Sequence, residues 1–226
     1  MSALFDDATL AAVRITFQVA LGATLLVCVP ALALGYTLAR SRFFGKSAIE
    51  TLVALPLVLP PTAIGYLLLA LFARDGWLGP RSIGFDPGVL FTARGAILAS
   101  AVVSFPLVTR SARAAFETID PRLESMAKSL GYTPWRTFLA VSLPLARRGL
   151  MAALALGFGR ALGEFGATVI VAGNIPGRTQ TLALAIFNDI QLGDNSHALT
   201  LVGLTTAIAF GVLWISERWL EPRARK

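Results

Sequence analysis

Apolar residues gather into long runs at about 11–39, 50–73, 93–110, 137–172 and 197–216, with a shorter run at 179–192. A helix needs about 20 apolar residues to cross a bilayer, so the long runs predict five crossings. The short run predicts a re-entrant or partial helix, with six full helices as the alternative. The fourth run is too long for one crossing, and Arg147 with Arg148 places its membrane part at about 149–172. Between the third and fourth crossings the pattern changes to a polar island, DPRLESMAKSLGYTPWRTFLAVSLP, from Asp120 to Pro144.

The island reads as two short helices hinged at a glycine. Asp120 caps a helix that starts at Pro121, where a missing N–H costs nothing, and Gly131 supplies a left-handed stop. That first helix is about ten residues, or roughly 15 Å, long. Leu123, Met126, Ala127 and Leu130 fall at i, i+3, i+4 and i+7 and share one face, leaving Arg122, Glu124, Ser125, Lys128 and Ser129 for the rest. Thr133 before Pro134 repeats the cap-then-proline start and launches a second helix through Trp135 and Phe138 toward Pro144. Periodicity alone leaves two uses for such an amphipathic helix: packing against its own protein or the lipid surface, or docking a partner.

Two apolar runs carry features that a plain crossing does not need. The second contains LPLVLPPTAIG, and Pro56, Pro60 and Pro61 predict a kink or break, which a membrane tolerates where the freed carbonyls face protein or water. The fourth contains GFGRALGEFGATVIVAGNIPG, from Gly157 to Gly177. Gly157, Gly159, Gly163 and Gly166 predict close helix packing. Arg160 and Glu164 are spaced i, i+4, so each can neutralise the other, either as a structural ion pair or as a gate beside an aqueous path. Thr168 and Asn174 offer hydrogen bonds to a polar solute on such a path. The NIPG stretch at 174–177 predicts a turn.

Composition and charge set the topology. Of 226 residues 55% are hydrophobic and 15% charged, with a mean hydropathy of +0.69, which predicts an all-α, polytopic membrane protein. The net charge of +7 does not indicate nucleic acid, because the cations are not interleaved with stacking aromatics. Of the 20 Lys and Arg residues, 14 lie after the first run, around the island and in the tail from Arg218 through Arg223, Arg225 and Lys226. The positive-inside rule puts these in the cytoplasm, with the N-terminus and its Asp6–Asp7 pair outside and the C-terminus inside. The acidic N-terminus lacks the features of a secretory signal, and no cleaved leader is expected.

Enzyme signatures are sparse. The single histidine, His197, supports neither a metal cluster nor a nucleophilic triad, and Cys28 has no partner for a disulfide. Gly45-Lys46-Ser47 echoes a phosphate loop, but that motif needs glycine at 40, where this chain has Arg40. Active transport would therefore draw its energy from a partner or an ion gradient. An ion-coupled secondary transporter predicts inverted repeats or several buried carboxylates, whereas Glu164 is the single acidic residue deep in a crossing.

The island resembles the cytoplasmic loop of the integral-membrane subunits of binding-protein-dependent ABC importers, whose pattern is E-A-A, three residues, G, nine residues, I-x-L-P. Gly131, Val141, Leu143 and Pro144 fit; Ser125, Met126 and Ala127 occupy the E-A-A positions, and the glutamate is displaced to Glu124. LGEFGATVIVAGNIPGRTQTLALAI looks most like the molybdate permeases, with sulfate and tungstate permeases as relatives. The resemblance implies a type I importer fold over residues 1–226, with a coupling loop at 111–148, in the bacterial cytoplasmic membrane. It also implies two permease copies, two cytoplasmic ATPases that use ATP-Mg, an external oxyanion-binding protein, and no cofactor on this chain. By position, Glu124, Ser125, Met126, Ala127, Leu130, Gly131, Val141, Leu143 and Pro144 belong to the ATPase contact.

Overall fold

A computed structural model describes residues 6–220. The first five residues, on which the leader expectation partly falls, and the tail cations Arg223, Arg225 and Lys226 lie outside the described residues. Every regular element described is helical: α1 (Asp7–Arg40), α2 (Lys46–Val58), α3 (Pro61–Phe72), α4 (Pro80–Ile83), α5 (Ala93–Glu117), α6 (Pro121–Ser129), α7 (Pro134–Thr137), a π-helical turn (Phe138–Ser142), α8 (Leu143–Leu162), α9 (Gly166–Ala172), α10 (Leu182–Leu192) and α11 (Asn195–Leu220).

Among the described residues, four helices are long and apolar enough to cross a membrane: α1, α5, the continuous stretch Pro134–Leu162, and α11. The pair α2 and α3, bent by 108°, makes a fifth if it crosses as one broken span. Its contacts run from one end of α5 to the other. At the α2 end, Glu50 pairs with Arg113 near the C-terminus of α5 at 2.8 Å. At the α3 end, Phe72 packs in a cluster with Val89 and Leu90, just before α5 begins. The bent pair thus travels the height of α5. The break falls at Leu59–Pro60, as the prolines predict: Pro60 and Pro61 lack N–H groups, and Leu59 closes α2 by donating to the Leu55 carbonyl at 3.0 Å.

Small residues set the helix order. Gly22 and Gly35 of α1 abut Ile97 and Ala112 of α5, so these helices run parallel. Gly149 and Gly157 of α8 abut Ala115 and Val108, so α8 runs antiparallel to α5. The central cluster between the three is rich in fully buried alanine, including Ala20, Ala31, Ala112 and Ala153. In lipid, where apolar burial drives little association, such close backbone approach is the main source of helix packing. Helix α11 starts beside Ala12, Leu182 and Ala185 near the beginning of α1 and leads back toward the opposite face. Both ends of the described chain consequently lie on opposite faces, and the face with the C-terminal end of α1 also carries the island.

The helix that carries the fourth crossing differs in extent from the stretch 149–172. It starts earlier, because the π turn accommodates Pro144: the Leu143 N–H bonds to the Phe138 carbonyl five residues back, and the helix continues from Pro134 without stopping at Arg147 or Arg148. It also ends earlier, at Leu162, and α9 is a separate short helix beyond a break at 163–165. Helix α10 has 11 residues, too few to span, in agreement with the partial helix expected there.

Candidate functional site

The island is built as its sequence predicts at each end and differently in its middle. The Asp120 carboxylate accepts from the Arg122 N–H at 2.9 Å, and Pro121 opens α6. At the other end the Gly131 N–H donates to the Lys128 carbonyl at 2.9 Å and the Tyr132 N–H to the Ala127 carbonyl at 3.1 Å, the paired closure of a Schellman motif. Gly131 stands at φ +85°, which glycine adopts without cost. Thr133 then caps α7 by accepting from the Arg136 N–H at 3.3 Å, and the Tyr132 ring lies under the Arg136 guanidinium at 4.4 Å. Tyr36 locks the far side, with ring centroids 5.1 Å from Phe116 and 4.8 Å from Phe138.

The amphipathic reading of α6 needs a correction. Glu124, expected on the polar face, is buried, and the edge formed by Leu123, Met126 and Leu130 is exposed, Leu130 to 79%. The glutamate turns inward because it has partners there: its Oε1 accepts from Arg40 Nε at 2.8 Å and from Ser142 Oγ at 2.8 Å. Arg40 also donates from Nη2 to the Ile119 carbonyl at 3.1 Å. Arg40 and Ser142 were not among the expected site residues, and because Arg40 lies 84 positions from Glu124 no local pattern points to them.

Other island residues divide around the exposed edge. Leu123, Met126, Ala127 and Leu130 line a hollow of about 430 Å³ whose opposite wall is Tyr132, Ala140, Val141 and Leu145. Ser125 lines a second hollow of about 550 Å³ on the other side of the Met126–Leu130 edge, with Arg122 and Ser129. Ala127 is buried, Pro144 is exposed, and Leu143 packs half-buried against the central cluster. The result is an exposed apolar ridge flanked by two hollows, with a hydrogen-bonded cap at each end of α6.

The second candidate centre is the break between α8 and α9. Arg160 Nη1 meets Glu164 Oε2 at 2.8 Å, the i,i+4 pair predicted from spacing. The other oxygen of Glu164, Oε1, accepts the Ala167 N–H at 2.8 Å, so the carboxylate also caps α9. Glu164 is buried while the Arg160 side chain keeps a third of its surface exposed. The break lies against the break of the second span: Gly166 faces Pro61, and Gly65 faces the backbone of Ala167. Gly157 and Gly166 thus pack closely as expected, whereas no other part of this chain packs against Gly159 or Gly163.

Thr168 sits in α9, fully buried, and Asn174 follows beyond its C-terminal end, about 10 Å of helix from the pair. Neither the Thr168 hydroxyl nor the Asn174 carbonyl oxygen has a hydrogen-bond partner among the described residues. The turn predicted at NIPG is present, with Gly177 at φ +71°. It is organised by Thr179, which sequence reasoning missed: its hydroxyl accepts from the Ile175 N–H at 3.0 Å and donates to the Gly173 carbonyl at 3.3 Å. The phosphate-loop echo at Gly45–Ser47 is a helix start, where Lys46 donates to the Ser41 carbonyl at 3.3 Å.

The chain is 40% identical to the molybdenum transport system permease protein of Haemophilus influenzae, over 96% of this chain and 95% of that one. It is 43% identical to that of Escherichia coli over 84% of each. A probable sulfate transport system permease of Anthoceros angustus is 32% identical over 92% of this chain and 73% of that one. The fold matches a bacterial ABC transporter that imports alginate, with a TM-score of 0.81 at 15% identity over 99% of this chain and 83% of that one. It also matches the MetNI methionine ABC transporter in an inward-facing form, with a TM-score of 0.68 at 17% identity over 93% of this chain and 91% of that one. With a family model matching residues 31–226, the chain belongs to the inner membrane components of binding-protein-dependent transport systems.

Proposed function

We propose that this chain is the permease subunit of an ABC importer for molybdate or a similar tetrahedral oxyanion. The observation that carries the solute class is the identity of 39–43% to molybdenum permeases over 84–96% of this chain, above the 30–34% to sulfate permeases. The exposed ridge of α6 supplies the docking surface for a cytoplasmic ATPase, with Ser125, Met126, Ala127, Leu130, Gly131, Val141, Leu143 and Pro144 around the contact. ATP-Mg is used by that partner. Two permease copies, two ATPases and an external oxyanion-binding protein make up the assembly, surrounded by lipid and without nucleic acid.

Orientation follows from charge: the face bearing Arg40, Arg113, Lys128, Arg147 and Arg148 is cytoplasmic, with the N-terminus outside and the C-terminus inside. Alternating access between outward-open and inward-open dimers then moves the solute past the broken fourth span, where Arg160, Glu164, Thr168 and Asn174 are the candidate path or gate. The unpaired polar atoms of Thr168 and Asn174 support this placement. A path needs polar groups without tight binding, since tight binding would hinder release.

Uptake of labelled molybdate by proteoliposomes holding the permease, its ATPase and its binding protein is the test. ATP-dependent uptake that resists an equal concentration of sulfate is expected; competition by equal sulfate would assign the chain to sulfate transport, and equal competition by tungstate would widen the solute class to both.

A further inference from the structure

Helix α6 is held to the protein by very little apolar packing. Of its nine residues only Glu124 and Ala127 are buried, and it joins α7 through Gly131 in a left-handed conformation. A short element with one small buried apolar side chain pivots unless a directional interaction fixes it. Glu124 provides that interaction. Its Oε1 receives Arg40 Nε and Ser142 Oγ, each at 2.8 Å, while Arg40 Nη2 holds the Ile119 carbonyl just before α6 at 3.1 Å. Arg40 is the last residue of α1, and Ser142 is the last residue of the π turn that enters α8. With side chains 15% and 8% exposed, Arg40 and Glu124 form a weakly screened, charge-assisted bond.

We propose that Arg40, Glu124 and Ser142 form a clamp that makes α6 move as one piece with the ends of α1 and α8, so that Glu124 is a positioning residue for coupling and not part of the surface that meets the ATPase. The bond to Ser142 also holds the π turn in register. Reverting that turn to α-helix shifts the register by one residue, rotating Ser142 by roughly 100° about the axis and off the carboxylate. A push on the exposed ridge is then delivered to two crossings at once and is not absorbed by the hinges at 118–120 and 130–133. This inference rests on the reading of the chain as an ATP-driven permease.

The test is molybdate imported per ATP hydrolysed in proteoliposomes carrying the permease with its ATPase and binding protein. Glu124→Ala and Arg40→Ala are each expected to lower that ratio by at least about fivefold while ATPase association and basal hydrolysis persist. The double variant is expected to be no worse than the worse single, as for two halves of one interaction. Glu124→Gln, which keeps an acceptor for both donors, is expected to recover part of the loss. Ser142→Ala leaves the ion pair and the fold in place, and it is expected to lower the ratio by at least about twofold. An unchanged ratio in Glu124→Ala or Ser142→Ala, or losses that multiply in the double variant, would overturn the clamp alone. Absence of ATP-dependent uptake by the unsubstituted protein would overturn the permease reading and the clamp with it.

Discussion

Gly166, the first residue of α9, lies against Pro61, the first residue of α3, so closely that a Cβ on the glycine would stand 3.0 Å from the proline Cβ. The two broken spans therefore meet at their breaks. Gly65, one turn further along α3, is tighter still against backbone: its Cβ would lie 2.9 Å from the Ala167 carbonyl oxygen. Backbone cannot give way as a flexible side chain can, so Gly65→Val is expected to push α3 and α9 apart and to cost about 1–3 kcal/mol. Gly203→Ala in α11, where a Cβ meets nothing within 4 Å, is the control and is expected to be neutral. Thermal unfolding of both variants in detergent checks the difference.

The ion pair at the second break is asymmetric, and its two halves are predicted to fail differently. Removing Arg160 leaves a buried carboxylate whose remaining support is the Ala167 N–H. Removing the charge of Glu164 leaves a guanidinium that already has a third of its surface exposed. Arg160→Ala is therefore expected to destabilise by roughly 3 kcal/mol, in the range for a buried charge stripped of its partner, and Glu164→Gln by less. Equal losses in denaturant titrations of the two variants would show that burial does not govern this pair.

No other part of this chain lies within 4 Å of where a Cβ on Gly131 would stand, so within the chain its backbone conformation is what restricts substitution. Asparagine tolerates the left-handed region and a β-branched residue does not. Gly131→Asn is expected to retain most uptake, whereas Gly131→Val inserts in the membrane but uncouples ATP hydrolysis from uptake, because the Schellman closure that aims Thr133 and Pro134 is strained. Membrane insertion, ATPase rate and uptake measured side by side distinguish uncoupling from misfolding; normal uptake by Gly131→Val would refute the role given to the hinge.

These cases show what the sequence makes legible. Features with a local cause were read correctly: Asp120 before Pro121, Thr133 before Pro134, the glycine stop at 131, the proline break near Leu59, and the i,i+4 pair at 160 and 164. One missed feature was decided far along the chain, and two were local but carry no signal in helical periodicity. The burial of Glu124 depends on Arg40, 84 positions away, and helical periodicity alone assigns a carboxylate to the wet face. The continuation of the fourth helix through Pro144 depends on a π turn, which composition does not announce. The break at Gly163 is stabilised by Glu164, which caps α9 through the Ala167 N–H, whereas spacing alone pairs that glutamate with Arg160.

A last long-range bond decides how the short helix α10 is held. Thr16 of α1 donates to the Ala12 carbonyl at 2.7 Å and accepts the Leu182 N–H at 2.8 Å from the start of α10. Both residues are buried, so no water can replace the hydroxyl, and the amide is one of the N–H groups at a helix start that lack a partner within their own helix. Thr16→Val keeps the shape and removes the acceptor, leaving Leu182 N–H unsatisfied at an expected cost of about 1–3 kcal/mol. Because α10 has 11 residues and crosses nothing, the loss should appear there first, as faster amide exchange across 182–192 with α1 and α5 unchanged. Thr16→Ser restores the acceptor and should restore protection. Faster exchange spread evenly over all the helices of Thr16→Val would mean that the bond supports the whole bundle and not α10 in particular.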